Sequence, residues 1–339
     1  MGLWAFIARR LVLAVLVLVL VSIGTFALAH ALPGDPLNSV ISERQANNPE
    51  VRATFEKRWG LDRPVPVQYV YYVRNLLRGD LGESISKRRP VADELRRRVP
   101  ATLELTMFAM GFAVAVGAPL GIVSAIRHDR WPDHVARFLT LIGTSVPVFL
   151  LGLLSLYVLF YRLHWLPGPG IKDTGMQEPE RVTGLMTVDA ILAGDWDFLR
   201  SFLRHVAQPA VVLGAYAMGI VARMLRSSLL AAMSDDYVRT ARAKGLVERR
   251  VVTGHALRNA LIPTVTVLGL TFASLLAGAV LTETIFSWPG VGAFAVEAAL
   301  KFDYPALLGV TLVISVVYVL VNLTIDVIYG FLDPRIRAT

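Results

Sequence analysis

Six stretches of this chain run for 16 to 24 residues with at most one charge each, at about 11–29, 103–126, 138–160, 206–221, 261–282 and 306–329. About 20 apolar residues in a helix cross the roughly 30 Å hydrocarbon core of a bilayer. Within that core every backbone N–H and C=O must find a partner inside the segment, which a helix achieves. Hydrophobic residues make up 55% of the 339, and the mean hydropathy is +0.55, far from the values of a soluble domain. The expectation is an all-α integral membrane protein, one transmembrane domain over 1–339 with six spans.

The first stretch, 11–29, follows Arg9 and Arg10 and ends in Ala27-Leu28-Ala29, which has the look of a signal-peptide cleavage site. Its 19 uncharged residues exceed the 7–15 usual for the apolar part of a signal peptide, so it reads as an uncleaved first helix. The segments between spans are uneven. Segments 33–100 and 161–205 are long, polar and punctuated by Pro and Gly, with short helices expected at Glu50–Arg58, Gln68–Arg78 and Val91–Arg98. Charge sets the sidedness. The turn 127–137 carries Arg127, Arg130 and Arg137, and the segment 222–260 carries eight Arg or Lys against three acids. The short loop 283–305 has one, Lys301, against Glu283, Glu297 and Asp303. Basic residues in short loops mark the cytoplasmic side. Both termini and the loop 222–260 are therefore expected in the cytoplasm, and 33–100, 161–205 and 283–305 outside.

Several kinds of chemistry find no residues here. With no cysteine, the chain has no disulfides, thiolate metal sites or Cys nucleophile. It has no Gly-x4-Gly-Lys-Ser/Thr string to cradle a nucleotide phosphate, and its six histidines show no metal-binding spacing. "GVGAFA" at 290–295 follows no strand, and reads as an external re-entrant turn after Pro289. Ionisable residues within spans are functional candidates by default. Here they are Glu104, at an outer edge where it complements the start of its helix, and Asp326, near the inner end of the last span and a partner for an arginine of the loop. A proton-coupled carrier needs an embedded acid or histidine relay, and the other spans offer none. Ser145, Thr271 and Ser274 are small polar residues suited either to lining a path or to helix packing.

The stretch "YVRTARAKGLVERRVVTGHALRN" at 237–259 holds six Arg or Lys in 23 residues, between two apolar runs. Ser234 is placed as an N-cap, Asp235 and Asp236 put negative charge in a first turn, and Gly245 falls where a left-handed C-cap belongs. A second helix starts near Val247. From the residues alone three readings stand: a basic face lying on anionic headgroups, a nucleic-acid-binding helix–turn–helix, and a docking element for a soluble protein. Pinning both ends to the membrane disfavours nucleic acid. The small Ala241 and Ala243 would let a partner's groove approach.

Continued as "YVRTARAKGLVERRVVTGHALRNALIP", this stretch resembles the cytoplasmic loop of the permease subunits of peptide-type ABC importers. Aligned on Gly245, Arg239-Thr240-Ala241 stands where the wider superfamily has Glu-Ala-Ala, and His255-Ala256-Leu257-Arg258 where it has Ile-x-Leu-Pro. Val247 replaces a common Ser or Pro. "ARRLVLAVLVLVLVSIGTFALAHALPGDP", "WGLDRPVPVQYVYYVRNLLRGDLGESI", "RRPVADELRRRVPATLELT", "ETIFSWPGVG" and "DPRIR" resemble the B-type permease of dipeptide and oligopeptide importers in the same order.

The resemblance implies the type I importer permease fold in a bacterial inner membrane. It implies a heterodimer with a second permease, two cytoplasmic ATPase subunits and an external solute-binding protein, with no nucleic acid and with membrane lipid around the spans. The chain would be no enzyme and hold no cofactor, ATP and Mg being bound by the ATPase subunits. Asp236, Tyr237, Arg239, Thr240, Ala241, Arg242, Lys244 and Gly245 would form the coupling helix in an ATPase cleft, with Ala241 facing the partner. Peptide-type permeases also serve nickel, glutathione and sugar importers, so the solute is open. The alternatives from other classes are a secondary transporter or channel not driven by ATP, and a membrane-embedded enzyme.

The charge bias makes a direct prediction. In this cysteine-free chain, a cysteine at position 240 should label from the cytoplasmic side alone and one at position 180 from outside alone; labelling of both from one side refutes the arrangement.

Overall fold

The computed structural model describes residues 3–31, 48–50, 53–54, 57 and 63–332. Helix α1 (Leu3–Ala31) is followed by α2 (Val65–Leu77), which begins after Pro64 and closes at Gly79 with φ +78. A two-residue ribbon pairs β1 (Glu83–Ser84) antiparallel with β2 (Arg89–Pro90). Then come α3 (Val91–Ile126), α4 (Trp131–Ser145) and α5 (Val148–Ser155), the last running into a π-helical turn, Leu156–Arg162. Helices α6 (Met186–Ala193), α7 (Trp196–Ser234) and α8 (Asp236–Ala243) follow. The short α9 (Glu248–Val251) passes through a second π-helical turn, Val252–Ala256, into α10 (Leu257–Ile285). Helices α11 (Val291–Leu300) and α12 (Tyr304–Leu332) end the described chain. Among the described residues, five helical stretches are long and apolar enough to span a membrane, and six if the bent α4–α5 pair counts as one.

The differences from the expected spans have local causes. The third span is not straight: α4 and α5 meet at 103°. Pro147 has no N–H to donate and disfavours helical backbone in the residue before it. Val146 is accordingly extended (φ −80, ψ 127). The short helix expected at Val91–Arg98 and the second span are one 36-residue helix. The fourth span extends far beyond 206–221, to 39 residues, so that much of the loop 222–260 is helix. "GVGAFA" opens the ten-residue α11 rather than a turn. The helix expected at Glu50–Arg58 falls mostly outside the described residues, as do the tail "DPRIR" and the side chain of Asp326.

The chain divides into two units. One comprises Leu103–Trp288 with the end of α12 from Ile325; the other comprises the N-terminal part to Thr102 with Pro289–Thr324. In the second, Val91, Leu95, Phe294, Ala298, Ala306 and Val310 form a buried cluster. The fully buried Asp303 anchors the ribbon to α12: its carboxylate accepts from Ser84 Oγ (2.6 Å), Ser86 N (2.9 Å) and Ala306 N (3.2 Å).

In the first unit α7 is the central helix. Lipid tails are as apolar as the side chains they would replace, so helices in a bilayer associate through close packing and small residues. Gly117 and Gly121 of α3 lie so near α7 that a Cβ on either would sit 2.7 Å from the carbonyl oxygens of Met218 and Ala222. Gly219 of α7 would meet the Thr140 carbonyl of α4 at 2.8 Å.

Glu104 does not serve the start of its own helix, which lies at Val91. It accepts from the backbone N–H groups of Met186 (2.9 Å) and Thr187 (2.7 Å) and from the Thr187 hydroxyl, and so caps α6. Asp189 of α6 closes the preceding turn through Thr183 N (2.7 Å) and Gly184 N (2.9 Å). Burial opposes its charge, but these hydrogen bonds outweigh burial and hold its carboxyl below the ordinary aspartate range.

The glycine contacts make a paired prediction. Gly121→Ala should lower the melting temperature of the detergent-solubilised protein, since overpacking costs about 1–3 kcal/mol. Gly111→Ala, on the same helix with open space around the new Cβ, should leave it unchanged or raise it by the helix-propensity gain of up to about 1 kcal/mol.

Candidate functional site

The basic stretch singled out by its composition folds as a corner. Helix α7 stops at Ser234 because Asp235 is extended (φ −71, ψ 152). Asp235, not Ser234, therefore occupies the N-cap position of α8, without a side-chain capping bond, and the Ser234 hydroxyl turns back to the Ala231 carbonyl at 2.7 Å. Ten residues beyond Asp235, Gly245 takes φ +75, and its N–H donates to the Arg242 carbonyl at 2.9 Å. Nothing lies within 4 Å of where its Cβ would be, so the requirement for glycine there is one of backbone conformation alone. Val247, extended at ψ 136, then starts α9.

Helix α8 has two faces. Val238, 0% exposed, and Ala241, 6% exposed, pack into a cluster with Ala125 of α3, Leu225, Leu229 and Ala232 of α7, and Val251, Ala256 and Ala260 beyond the corner. Ala241 therefore faces its own chain, not a partner: four elements converge on α8, and only a small side chain fits between them. Asp236, Tyr237, Arg239, Thr240 and Lys244 are exposed on the other side. Arg239 is 73% exposed and lies 3.5 Å from Asp236.

Arg242, expected to face a partner, is exposed and also paired within the chain. Its Nε and Nη2 donate to the two carboxylate oxygens of Glu248, at 3.1 and 2.7 Å, and the carboxylate raises the guanidinium pKa above its ordinary value. The fork-to-carboxylate geometry fixes orientation as well as distance. Glu248 is a site residue that the composition-based reading passed over. Opposite charges on either side of a helix-ending glycine were the available signal.

The three residues considered for a translocation path are not brought together by hydrogen bonding among the described residues. Ser145 is exposed at the α4–α5 bend. Thr271 is buried at 5%, while Ser274 is exposed and donates to the Leu270 carbonyl of its own helix at 3.0 Å.

The chain belongs to the family described as the binding-protein-dependent transport system inner membrane component. The family model matches residues 117–338, and the model of the family's N-terminal region matches residues 3–106. The chain is 45% identical to the probable D,D-dipeptide transport system permease protein DdpB of Escherichia coli K12, covering 99% of this chain and 98% of that one. It is 41% identical to the dipeptide transport system permease protein DppB of Alkalihalophilus pseudofirmus, covering 98% and 99%. With the glutathione transport system permease protein GsiC of Salmonella choleraesuis it shares 36% identity over 98% of each chain. Among solved structures, an inward-facing form of the MetNI methionine ABC transporter matches with a TM-score of 0.52 at 17% identity, over 70% of this chain and 96% of that one, which shows a shared fold. The protein is thus a multi-pass inner-membrane permease subunit of an ABC importer, not an enzyme.

The two faces of α8 separate packing from surface. Ala241→Trp should destabilise the isolated permease, lowering its melting temperature before any partner is added, by overpacking of about 1–3 kcal/mol. Thr240→Trp, one residue away on the exposed face, should leave that temperature unchanged.

Proposed function

We propose that this chain is the B-type permease of an ATP-driven importer of dipeptides or short peptides, paired with a second permease and two cytoplasmic ATPase subunits and supplied by an external solute-binding protein. We further propose that α8 is the surface through which the ATPase drives it. The observation that carries the second part is the division of α8. Its apolar side is clamped to four elements of its own chain, so a push on its polar side moves those elements rather than the loop alone. The polar side offers a ring, Tyr237, and two cations, Arg239 and Lys244, to a cleft lined by acids or helix carboxyl ends. Gly245 holds the corner, since a Cβ in the left-handed region costs about 1–2 kcal/mol.

The peptide assignment draws on the relatives named for dipeptides, at 41–45% identity over essentially the whole chain. Transport then follows alternating access. ATP brings the ATPase subunits together, α8 is displaced with them, and α7 and α10, which enter and leave the corner, tilt to open the path outward. Hydrolysis reverses the motion. ATP and Mg stay on the partner subunits.

Reconstituted importer tests both parts. Arg239→Glu combined with Lys244→Glu should cut the copurified ATPase subunits or the stimulated hydrolysis at least tenfold, with the permease still folded in the membrane. Full assembly and coupling in that variant would reduce α8 to a solvated basic face. Uptake of labelled dipeptide that glutathione does not displace is expected; displacement by glutathione but not by dipeptides would overturn the peptide assignment.

A further inference from the structure

Asp133, in the first turn of α4, is 0% exposed. Its carboxylate accepts from Arg226 Nε at 3.0 Å and Nη2 at 2.9 Å, from Arg137 Nη2 at 2.9 Å, from the Asp129 backbone N–H at 3.0 Å and from the Ser124 hydroxyl. One side chain thus ties together α3 (Ser124), α4 (Asp133, Arg137) and α7 (Arg226).

A buried ion pair is a poor device for stability, because desolvation offsets much of the attraction; its best-attested use is to specify one arrangement of elements over others. The position of this one indicates which arrangement. Arg226 lies on α7 between Leu225 and Leu229, both members of the cluster that seats Val238 and Ala241 of α8. The part of α7 that grips the corner therefore also grips α4 and α3. Farther along, Gly117, Gly121 and Gly219 bring the same three helices into backbone contact. Small residues let helices slide as well as approach. A two-pronged guanidinium–carboxylate pair fixes both the distance and the angle.

We infer that Asp133 and Arg226 are positioning residues for the transport cycle: they lock α3 and α4 to the corner end of α7, so that a displacement of α8 carries three helices as one body and not α7 alone. This rests on the reading of α8 as the ATPase contact. Without the lock, α7 yields against its neighbours, and hydrolysis continues without moving solute.

The test is the amount of solute imported per ATP hydrolysed by the complete importer in proteoliposomes, normalised to copurified ATPase subunits. Two variants are compared with the wild type. Asp133→Asn keeps the shape and removes the charge; Arg226→Lys keeps the charge and removes the two-pronged geometry. The expected result is hydrolysis within about twofold of the wild type and a ratio at least tenfold lower for Asp133→Asn, with a smaller fall for Arg226→Lys. A ratio equal to that of the wild type in both variants overturns the inference, whether or not the yield of complex falls, because the network would then only stabilise the fold. Should Asp133→Asn give no folded permease, Arg226→Lys with Ser124→Ala decides on the same criterion. The Arg239→Glu and Lys244→Glu pair is run alongside. If that pair keeps full assembly and coupling while Asp133→Asn lowers the ratio, the reading of α8 fails and the lock stands. If that pair uncouples while Asp133→Asn and Arg226→Lys keep the ratio, the lock fails and the reading of α8 stands.

Discussion

The close approach of α3 and α4 to α7 is the contact on which the larger unit depends. In a bilayer, burying a leucine against another helix gains little over leaving it in lipid. What remains is dispersion, which falls off steeply with any gap. Gly117, Gly121 and Gly219 remove the side chains that would hold the backbones apart, and the helices meet at carbonyl distance. The arrangement fixes which helix is central, because α7 receives glycine contacts from one neighbour and offers its own to another. Its 39 residues then continue past the apolar stretch to the edge of α8. A helix packed this tightly along its length behaves as a lever rather than as a tether.

Much of this was legible in the sequence. Apolar length alone marks the stretches that fold as long apolar helices, and the composition of 237–259 points to the corner. Gly245 falls where its left-handed cap is expected and the second helix starts at Val247, while the first takes Asp235 rather than Ser234 as its N-cap. What was misread follows a pattern. Boundaries failed where a helix continues beyond its apolar part: α7 runs through Arg223 and Arg226, and α3 begins at Val91 before its apolar run. Hydropathy reports the solvent a segment needs, not the extent of its hydrogen-bond ladder. The α4–α5 bend was within reach, since Pro147 stands inside the third stretch. Glu104 was given the right kind of partner, a helix start, but the wrong helix, because a side chain's partner 82 residues away leaves no mark on local sequence.

The candidate site was legible as a place and less so as a surface. Ala241 and Arg242 both read as partner-facing; Ala241 turns inward, whereas Arg242 stays exposed but is paired with Glu248. For Ala241 the cause is that smallness is ambiguous. It permits approach by anything, and the structure puts that approach inside the chain, where Ala125, Ala232, Ala256 and Ala260 repeat the same solution. For Arg242 exposure was legible and the counter-charge was not, because Glu248 lies across a corner whose geometry Gly245 sets.

That inward turn changes what the corner must be made of. Were Ala241 at the partner interface, α8 would be a loosely held plug, and force from a partner would be spent in bending the loop. With Val238 and Ala241 buried, rotation of α8 about its axis would break its packing, and the pair of Arg242 with Glu248 opposes pivoting at the glycine. An exposed pair of this kind adds only about 0–1 kcal/mol to stability. Its value here is geometric: it holds the angle between α8 and α9, and so between α7 and α10, which enter and leave the corner. A corner stiff in both rotation and angle can transmit displacement in either direction. Under the role proposed for α8, a state of the path would be communicated to the ATPase as readily as the ATPase's state to the path, as reciprocal coupling between two sites requires.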